Sequence, residues 1–277
     1  GGDDYHMSLC GLPDVVTEKT ASEVSTPPLL KTKWSEEGRL EQEQAELDAF
    51  FSETGYKKQP RYYIIKWLTD WVREYGVDGF RCDTAKHVEP FRWGQLKDAC
   101  TAALEAWRND SSKSKKYNGV DTGAADWDES FWMTGECFGW TAIGGSGGEY
   151  YGTGKFDSMI NFSYNGSQGG GTSSSYPSSS DWNTYLSINT AKKDDDNNGN
   201  LNNVLTYLSS HDTKLCRPSD SIAQGPMFTL LPGGIQIYYG DESSRPQAYL
   251  GCGDTDMMTR GDMNWDEIEG SKKAQVA

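Results

Sequence analysis

Histidine is scarce in this chain: three among 277 residues. A zinc centre built on several imidazoles is therefore disfavoured. No GxSxG elbow occurs, which removes the usual strand–turn–helix signature of a serine hydrolase. The segment GGSGGEYYGTG, 144–154, is rich in glycine but lacks the GxxxxGK[ST] order of a phosphate loop. Positive charge is also short. Lys and Arg total 26 against 41 Asp and Glu, a net charge of -15, and no basic cluster stands out. A phosphate backbone would be repelled, so nucleic acid is not an expected partner, and a neutral ligand or a cation is. No apolar run reaches membrane-spanning length, and no membrane partner is expected. No leader-like segment opens the chain, which begins GGDDYHMS and reads as an internal stretch. Cys10, Cys82, Cys100, Cys137, Cys216 and Cys252 are scattered, without CxxC or metal-finger spacing. Cys82 and Cys137 read as buried free thiols, and a disulfide among Cys10, Cys216 and Cys252 stays open.

The mean hydropathy of -0.72 is polar for a globular chain. The polarity is uneven, because apolar segments alternate with Gly-, Ser- and Asp-rich stretches. An ordinary core with long surface loops fits this pattern, in one large domain or two small ones. Ten Trp and fifteen Tyr suit a neutral, ring-shaped ligand such as a sugar, or simply a core.

Residues 1–55 read as irregular around Pro27-Pro28, except that Leu40, Leu47, Phe50 and Phe51 fall near one stripe and offer a helix over Glu36–Phe51. PRYYIIKWLTDWVREY, 60–75, reads as a helix with Pro60 in its first turn, an apolar face of Ile64, Leu68, Trp71, Val72 and Tyr75, and Gly76 as its stop. VDGFRCDT follows as a short strand, then GQLKDACTAALEAWR, 94–108, as a second amphipathic helix. Further strands are expected at 130–139, 156–162, 203–212 and 233–242. The stretches 109–129 and 163–181 read as polar loops. Helix and strand alternating at this pace indicate parallel α/β structure. About five strands carry polar residues at their C-terminal ends, where a β/α barrel keeps its chemistry.

Three of those ends hold carboxylates. In GVDGFRCDTAKHVEP, 76–90, alternation along a strand puts Arg81 and Asp83 on one face, with Phe80 and Cys82 on the other. A cation beside an aspartate keeps it ionised, as a nucleophile requires; a structural ion pair is the bland alternative. Glu136 in MTGECFGW sits where neighbouring acids would raise its pKa, suiting a general acid, and Gly135 beside it leaves room for a ligand. His211 and Asp212 in YLSSHDT add a third carboxylate with an imidazole donor beside it, or else a capping pair. Glycoside hydrolysis needs one carboxylate as nucleophile and one carboxylic acid as proton donor. A weaker signal lies in DDDNNGNLNNVL, 194–205: Asp194, Asp196, Asn198 and Gly199 have EF-hand spacing, but Leu205 at the closing position cannot ligate calcium.

GFRCDTAKH, GECFG, SSHDT and GLPDV (residues 11–15) resemble, in order, the nucleophile, acid/base, third-carboxylate and protruding-domain motifs of the α-amylase family of glycoside hydrolases. IIKWLTDWVREYGVDGFR and YYGDESSRP look most like the bacterial, periplasmic, maltodextrin-degrading branch of that family. The resemblance implies a partial (β/α)8 TIM barrel comprising about its last five strands. Residues 1–55 would be a remnant of protruding domain B with a linker, and 56–277 the C-terminal portion of the barrel. It implies Asp83 as nucleophile, Glu136 as acid/base, and Asp212 as the residue that binds and distorts the sugar. Arg81 would orient Asp83, His211 would bind sugar hydroxyls, and Lys86 and His87 would lie toward the leaving group. Calcium would take the Asp14 carboxylate and the His87 carbonyl. Trp140, Tyr150 and Tyr151 are candidates for stacking on glucose or for loop packing.

The implied substrate is an α-1,4-glucan, and the implied compartment is extracellular or periplasmic. The full-length enzyme would be a monomer. The motif expected on an early barrel strand, the first three strands and a following β-domain have no counterpart here. The chain accordingly reads as an internal piece of a larger enzyme, since five strands cannot close an eight-stranded barrel. A transglycosylase of the same family and a non-catalytic sugar-binding relative are the other readings.

Overall fold

The computed structural model describes residues 5, 15–17, 19–20, 22–122, 125, 128–140, 148–164, 167–168, 183, 204–213, 215, 228–230, 233–246 and 258–269. Its central feature is a five-stranded sheet of β1 (Gly79–Cys82), β4 (Trp132–Gly135), β5 (Ser158–Asn161), β8 (Val204–Tyr207) and β9 (Gly234–Gln236), in that spatial order. The pairs β4–β5, β5–β8 and β8–β9 are parallel, in registers such as Gly135 to Met159, Ile160 to Leu205 and Thr206 to Ile235. Each sheet strand is followed in space by the next one in sequence, the order of strands in a β/α barrel wall. All five strands lie within the stretches expected from the sequence, but they are short. The polar tails beyond them are loop, so His211 and Asp212 stand in a turn past β8 rather than in the strand. Leu205, the closing position of the EF-hand-like stretch, is a β8 residue; residues 194–203 lie outside the described residues.

The chain divides into two compact units. The first holds residues 1–80 and 86–132, and the second holds 81–85 and 133–277. Among the described residues of the first are four helices: α1 (Pro28–Glu36), α2 (Leu40–Thr54), α3 (Pro60–Tyr75) and α4 (Pro90–Asn109). The helix expected over Glu36–Phe51 is present as α2, and the reading of 1–55 as irregular is corrected for 28–36 by α1. Pro28 stands at the first helical position, where its missing N–H is no loss, and it opens α1. Gly76 ends α3 at φ 67°, its N–H donating to the Val72 carbonyl at 2.8 Å. The expected apolar face of α3 is also corrected. Tyr62, Tyr63, Ile65 and Val72 are buried, whereas Trp71 and Tyr75 are exposed. The helix is apolar on both sides, and Phe51 meets Tyr63 edge-on at 4.9 Å, which selects the buried one. Within the stretch read as a polar loop, β2 (Lys116–Tyr117) and β3 (Val120–Asp121) form a hairpin across Asn118-Gly119, both at positive φ. Asn-Gly is the dipeptide that a tight hairpin turn favours.

In the second unit the sheet is buried and partly polar. Ser158 Oγ donates to Thr134 Oγ1 at 2.6 Å, and Asn161 Nδ2 donates to Thr206 Oγ1 at 3.2 Å. These pairs satisfy groups whose burial alone would be unfavourable. Ile160, Phe162 and Tyr207 form an apolar cluster beside them. The short hairpin β6 (Ser163–Tyr164) and β7 (Ser167–Gln168), and the helices α5 (Gly148–Tyr151) and α6 (Trp265–Glu269), complete the described elements.

Candidate functional site

Asp83 follows β1 directly and Glu136 follows β4 directly, and the backbone joins the two ends. The Glu136 N–H donates to the Cys82 carbonyl at 2.8 Å, and the Ala85 N–H donates to the Glu136 carbonyl at 2.7 Å. Arg81 lies between the two carboxyls, its guanidinium 2.7 Å from Asp83 Oδ1 and 3.4 Å from Glu136 Oε1. Arg81 and Asp83 therefore share a face, as alternation requires, while Cys82 is buried on the other side. Burial pushes the Cys82 thiol up to about 12, so it is packing rather than a nucleophile.

The two acids differ in surroundings. The Asp83 side chain is 66% exposed and that of Glu136 only 4%. Burial first, then the hydrogen bond with Asp83, hold the Glu136 carboxyl above its ordinary value. Asp83 moves the other way. Partial burial pulls it upward, but the Glu136 hydrogen bond and the Arg81 guanidinium prevail and carry it below its ordinary value. The two carboxyls are thus set apart by environment, Asp83 favoured as the carboxylate and Glu136 as the acid.

The turn that makes this geometry is strained. Thr84, next to Asp83, has φ 47°, a left-handed conformation rare for a β-branched residue. Its N–H reaches Glu136 Oε2 at 3.2 Å. Gly135 has a different task from the one expected. A side-chain carbon placed on it would come within 2.7 Å of Met159 Sδ and 3.1 Å of Phe156, so its hydrogen makes way for the core and not for a ligand.

His211 and Asp212 form a second centre past β8. Ser210 Oγ accepts the N–H groups of Asp212 and Thr213 at 3.3 and 3.2 Å, which shapes the turn. His211 Nε2 lies 3.0 Å from Asp212 Oδ2, and Arg260 Nη2 lies 2.6 Å from Asp212 Oδ1. Thr259 Oγ1 donates to the His211 carbonyl at 2.6 Å. Sequence reading missed Arg260 and Thr259. They lie 48 residues away from their partners, in a loop with no local signal. Glu136 follows β4 and Asp212 lies past β8, and because β4, β5 and β8 run parallel, both acids lie toward the C-terminal end of these strands.

The remaining candidates distribute unevenly. Lys86 and His87 occupy the 3-10 turn Ala85–His87 and belong to the first unit. Asp14, Cys10, Cys216 and Cys252 lie outside the described residues. Cys82 and Cys100 are buried and Cys137 is half-buried. Trp140, Tyr150 and Tyr151 are buried, so the packing reading holds for each. An aromatic that does face solvent is Phe138, two residues past Glu136 and 58% exposed, its ring 5.1 Å from Phe162. Among the described residues no group of three or more His, Cys, Asp or Glu is arranged to hold a metal ion. No described helix is long and apolar enough to cross a membrane.

Comparison with known proteins follows the same lines. The model of the alpha amylase catalytic domain matches residues 40–274. A curated relative, the periplasmic alpha-amylase of Escherichia coli, is 39% identical over all 277 residues, which correspond to 35% of its own length. The chain thus spans about a third of the curated relative it matches. A solved Anoxybacillus alpha-amylase superposes with a TM-score of 0.52 at 18% identity, covering 79% of this chain and 43% of that one. The five strands are accordingly a partial (β/α)8 barrel. With the family model spanning most of the sequence and the relative matching it end to end, the chain belongs to the alpha-amylase family.

Proposed function

We propose that the chain carries the catalytic centre of a retaining glycoside hydrolase acting on α-1,4-glucans such as starch and maltodextrin. The observation that carries this reading is the Asp83–Glu136 pair, one acid exposed with its pKa held below the ordinary value, the other buried with its pKa held above it, and a single guanidinium between them. In the first step the Glu136 proton passes to the glycosidic oxygen as Asp83 attacks the anomeric carbon. The carbon–oxygen bond breaks and a glycosyl ester on Asp83 forms. Glu136, now a carboxylate, takes a proton from water, whose oxygen displaces Asp83 and regenerates both groups. Two inversions leave the anomeric configuration unchanged.

The retaining reaction needs its two acids about 5 Å apart, with the scissile bond between them. Asp212 binds and distorts the sugar at the cleavage point, and His211 donates to its hydroxyls. Arg81 orients Asp83, and Lys86 and His87 serve the leaving-group side.

Calcium ligation is the least supported component. Calcium takes about six to eight oxygens, whereas the described donors amount to the His87 carbonyl, with Asp14 the other residue that the resemblance names. The proposed partner is an α-glucan met by a monomeric full-length enzyme, and the proposed compartment is extracellular or periplasmic. The test is to follow the new anomeric centre by NMR while the full-length protein digests maltoheptaose. The α-anomer is expected first; first appearance of the β-anomer refutes retention.

A further inference from the structure

Asp212 is held more firmly than a surface acid needs. An exposed ion pair contributes little by itself, and the Arg260 side chain is 46% exposed. Yet this arginine makes two bonds from one fork. Nη2 reaches the Asp212 carboxylate at 2.6 Å, and Nε reaches the His211 carbonyl at 3.4 Å. Thr259 adds its hydroxyl to the same carbonyl at 2.6 Å. Backbone and side chain of the His211–Asp212 turn are thus gripped by two consecutive residues of a distant loop.

That loop is braced in turn by a buried cation. Arg245 is fully buried. Its Nη2 donates to the Thr259 carbonyl at 2.9 Å, its Nη1 to the Gly261 carbonyl at 3.1 Å, and its Nε to the Tyr239 carbonyl at 3.3 Å. It thereby fixes the backbone on both sides of Arg260 and ties it to the segment after β9. The Tyr239 ring covers the guanidinium at 4.1 Å. Farther along, Ser243 Oγ donates to Asn264 Oδ1 at 2.7 Å and pins the loop again. Removing a guanidinium from water is costly unless its donors are met, and the bonds that meet them here run to the carbonyls flanking Arg260.

We propose that Arg260 is a positioning residue for the reaction: supported by Thr259 and braced by Arg245, it sets the orientation of Asp212 and His211 toward the sugar. This rests on the glycosidase reading above. A lysine would supply the charge but not the two-point fork, so shape and not charge alone is required.

The test compares wild type, Arg260→Ala, Arg260→Lys and Thr259→Val of the full-length protein on maltoheptaose. Misplacing a reacting group by about 1 Å costs on the order of 10²-fold in rate. Arg260→Ala should therefore lose about that factor in kcat with KM little changed. Arg260→Lys should recover only part of it, and Thr259→Val should lose about tenfold or less on the same scale. Millimolar guanidinium should restore Arg260→Ala in part, a response that a merely destabilised variant would not give. A kcat for Arg260→Ala within about twofold of wild type, or full recovery with lysine, overturns the proposal. A wild type that leaves maltoheptaose intact overturns the glycosidase reading and this role with it. A working wild type beside an unaffected Arg260→Ala overturns the role alone.

Discussion

Two centres at the end of the sheet handle negative charge in opposite ways. At the ends of β1 and β4, two carboxyls share one guanidinium, and burial favours the protonated form of Glu136. Past β8, one carboxylate has a guanidinium on one oxygen and an imidazole on the other. The first arrangement suits groups that must exchange a proton during a reaction; the second suits a group that must keep its place and its form. A site that needed only to bind sugar would have little use for the first.

The largest effect expected is loss of the chemical pair. Asp83→Asn should reduce turnover by about 10⁴-fold or more, as removal of a nucleophile does. Glu136→Gln should reduce it by about 10²–10⁴-fold, the range of general acid–base catalysis. Steady-state kinetics on maltoheptaose would measure both, and near-normal turnover in Asp83→Asn would remove the distinction between the centres.

Arg81 sharpens the comparison through pH. On the proposed mechanism activity needs Asp83 ionised and Glu136 protonated, so the profile should be a bell. Its acid limb should lie below the ordinary aspartate value and its alkaline limb above the ordinary glutamate value. The stability contributions have matching signs. Asp83, lowered in the folded state, stabilises above its unfolded pKa and loses that as pH falls through its folded value. Glu136, raised, stabilises below its unfolded pKa and loses that as pH rises through its folded value. Arg81→Met should displace the acid limb upward, because the cation that favours the Asp83 carboxylate is gone. An unmoved acid limb would count against this assignment.

A smaller effect is expected beneath the site. Gly135→Ala should lower stability by about 1–3 kcal/mol, since the added methyl overpacks Met159 and Phe156. Denaturant melts would read this, and pairing the change with Met159→Ala should recover part of the loss. The smallest effect is expected at Thr84. Replacement by glycine relieves a left-handed strain of about 1–3 kcal/mol while adding unfolded-state entropy of about 0.4–1 kcal/mol. Thr84→Gly should melt no lower than wild type. A clear destabilisation would mean that the hydroxyl or methyl of Thr84 has a further role.

Much of this was legible from residue pattern. Period and punctuation located α3, and runs of apolar residues with polar ends located the five sheet strands. Alternation placed Arg81 with Asp83. The buried face of α3 was not legible, because Ile64, Leu68, Trp71 and Tyr75 offer as good a stripe as Tyr62, Ile65 and Val72. Which one is covered depends on what packs against the helix. Gly135 was misread because a missing side chain looks the same whether a ligand or Met159 takes the space. Arg260 and Arg245 were invisible because their partners are backbone carbonyls and an acid brought near only by folding. The hairpin at Asn118-Gly119, by contrast, had its signal in plain view within a stretch otherwise typical of loop.

The backbone bridge between the two acids has one more consequence. The Glu136 amide is bonded to the Cys82 carbonyl and the Ala85 amide to the Glu136 carbonyl, with no side chain involved. Hydrogen–deuterium exchange at these two amides therefore reports whether the ends of β1 and β4 are in register, independently of turnover. Protection that survives in Asp83→Asn and Glu136→Gln would identify those variants as intact frames with altered chemistry, fit for trapping an uncleaved glucan.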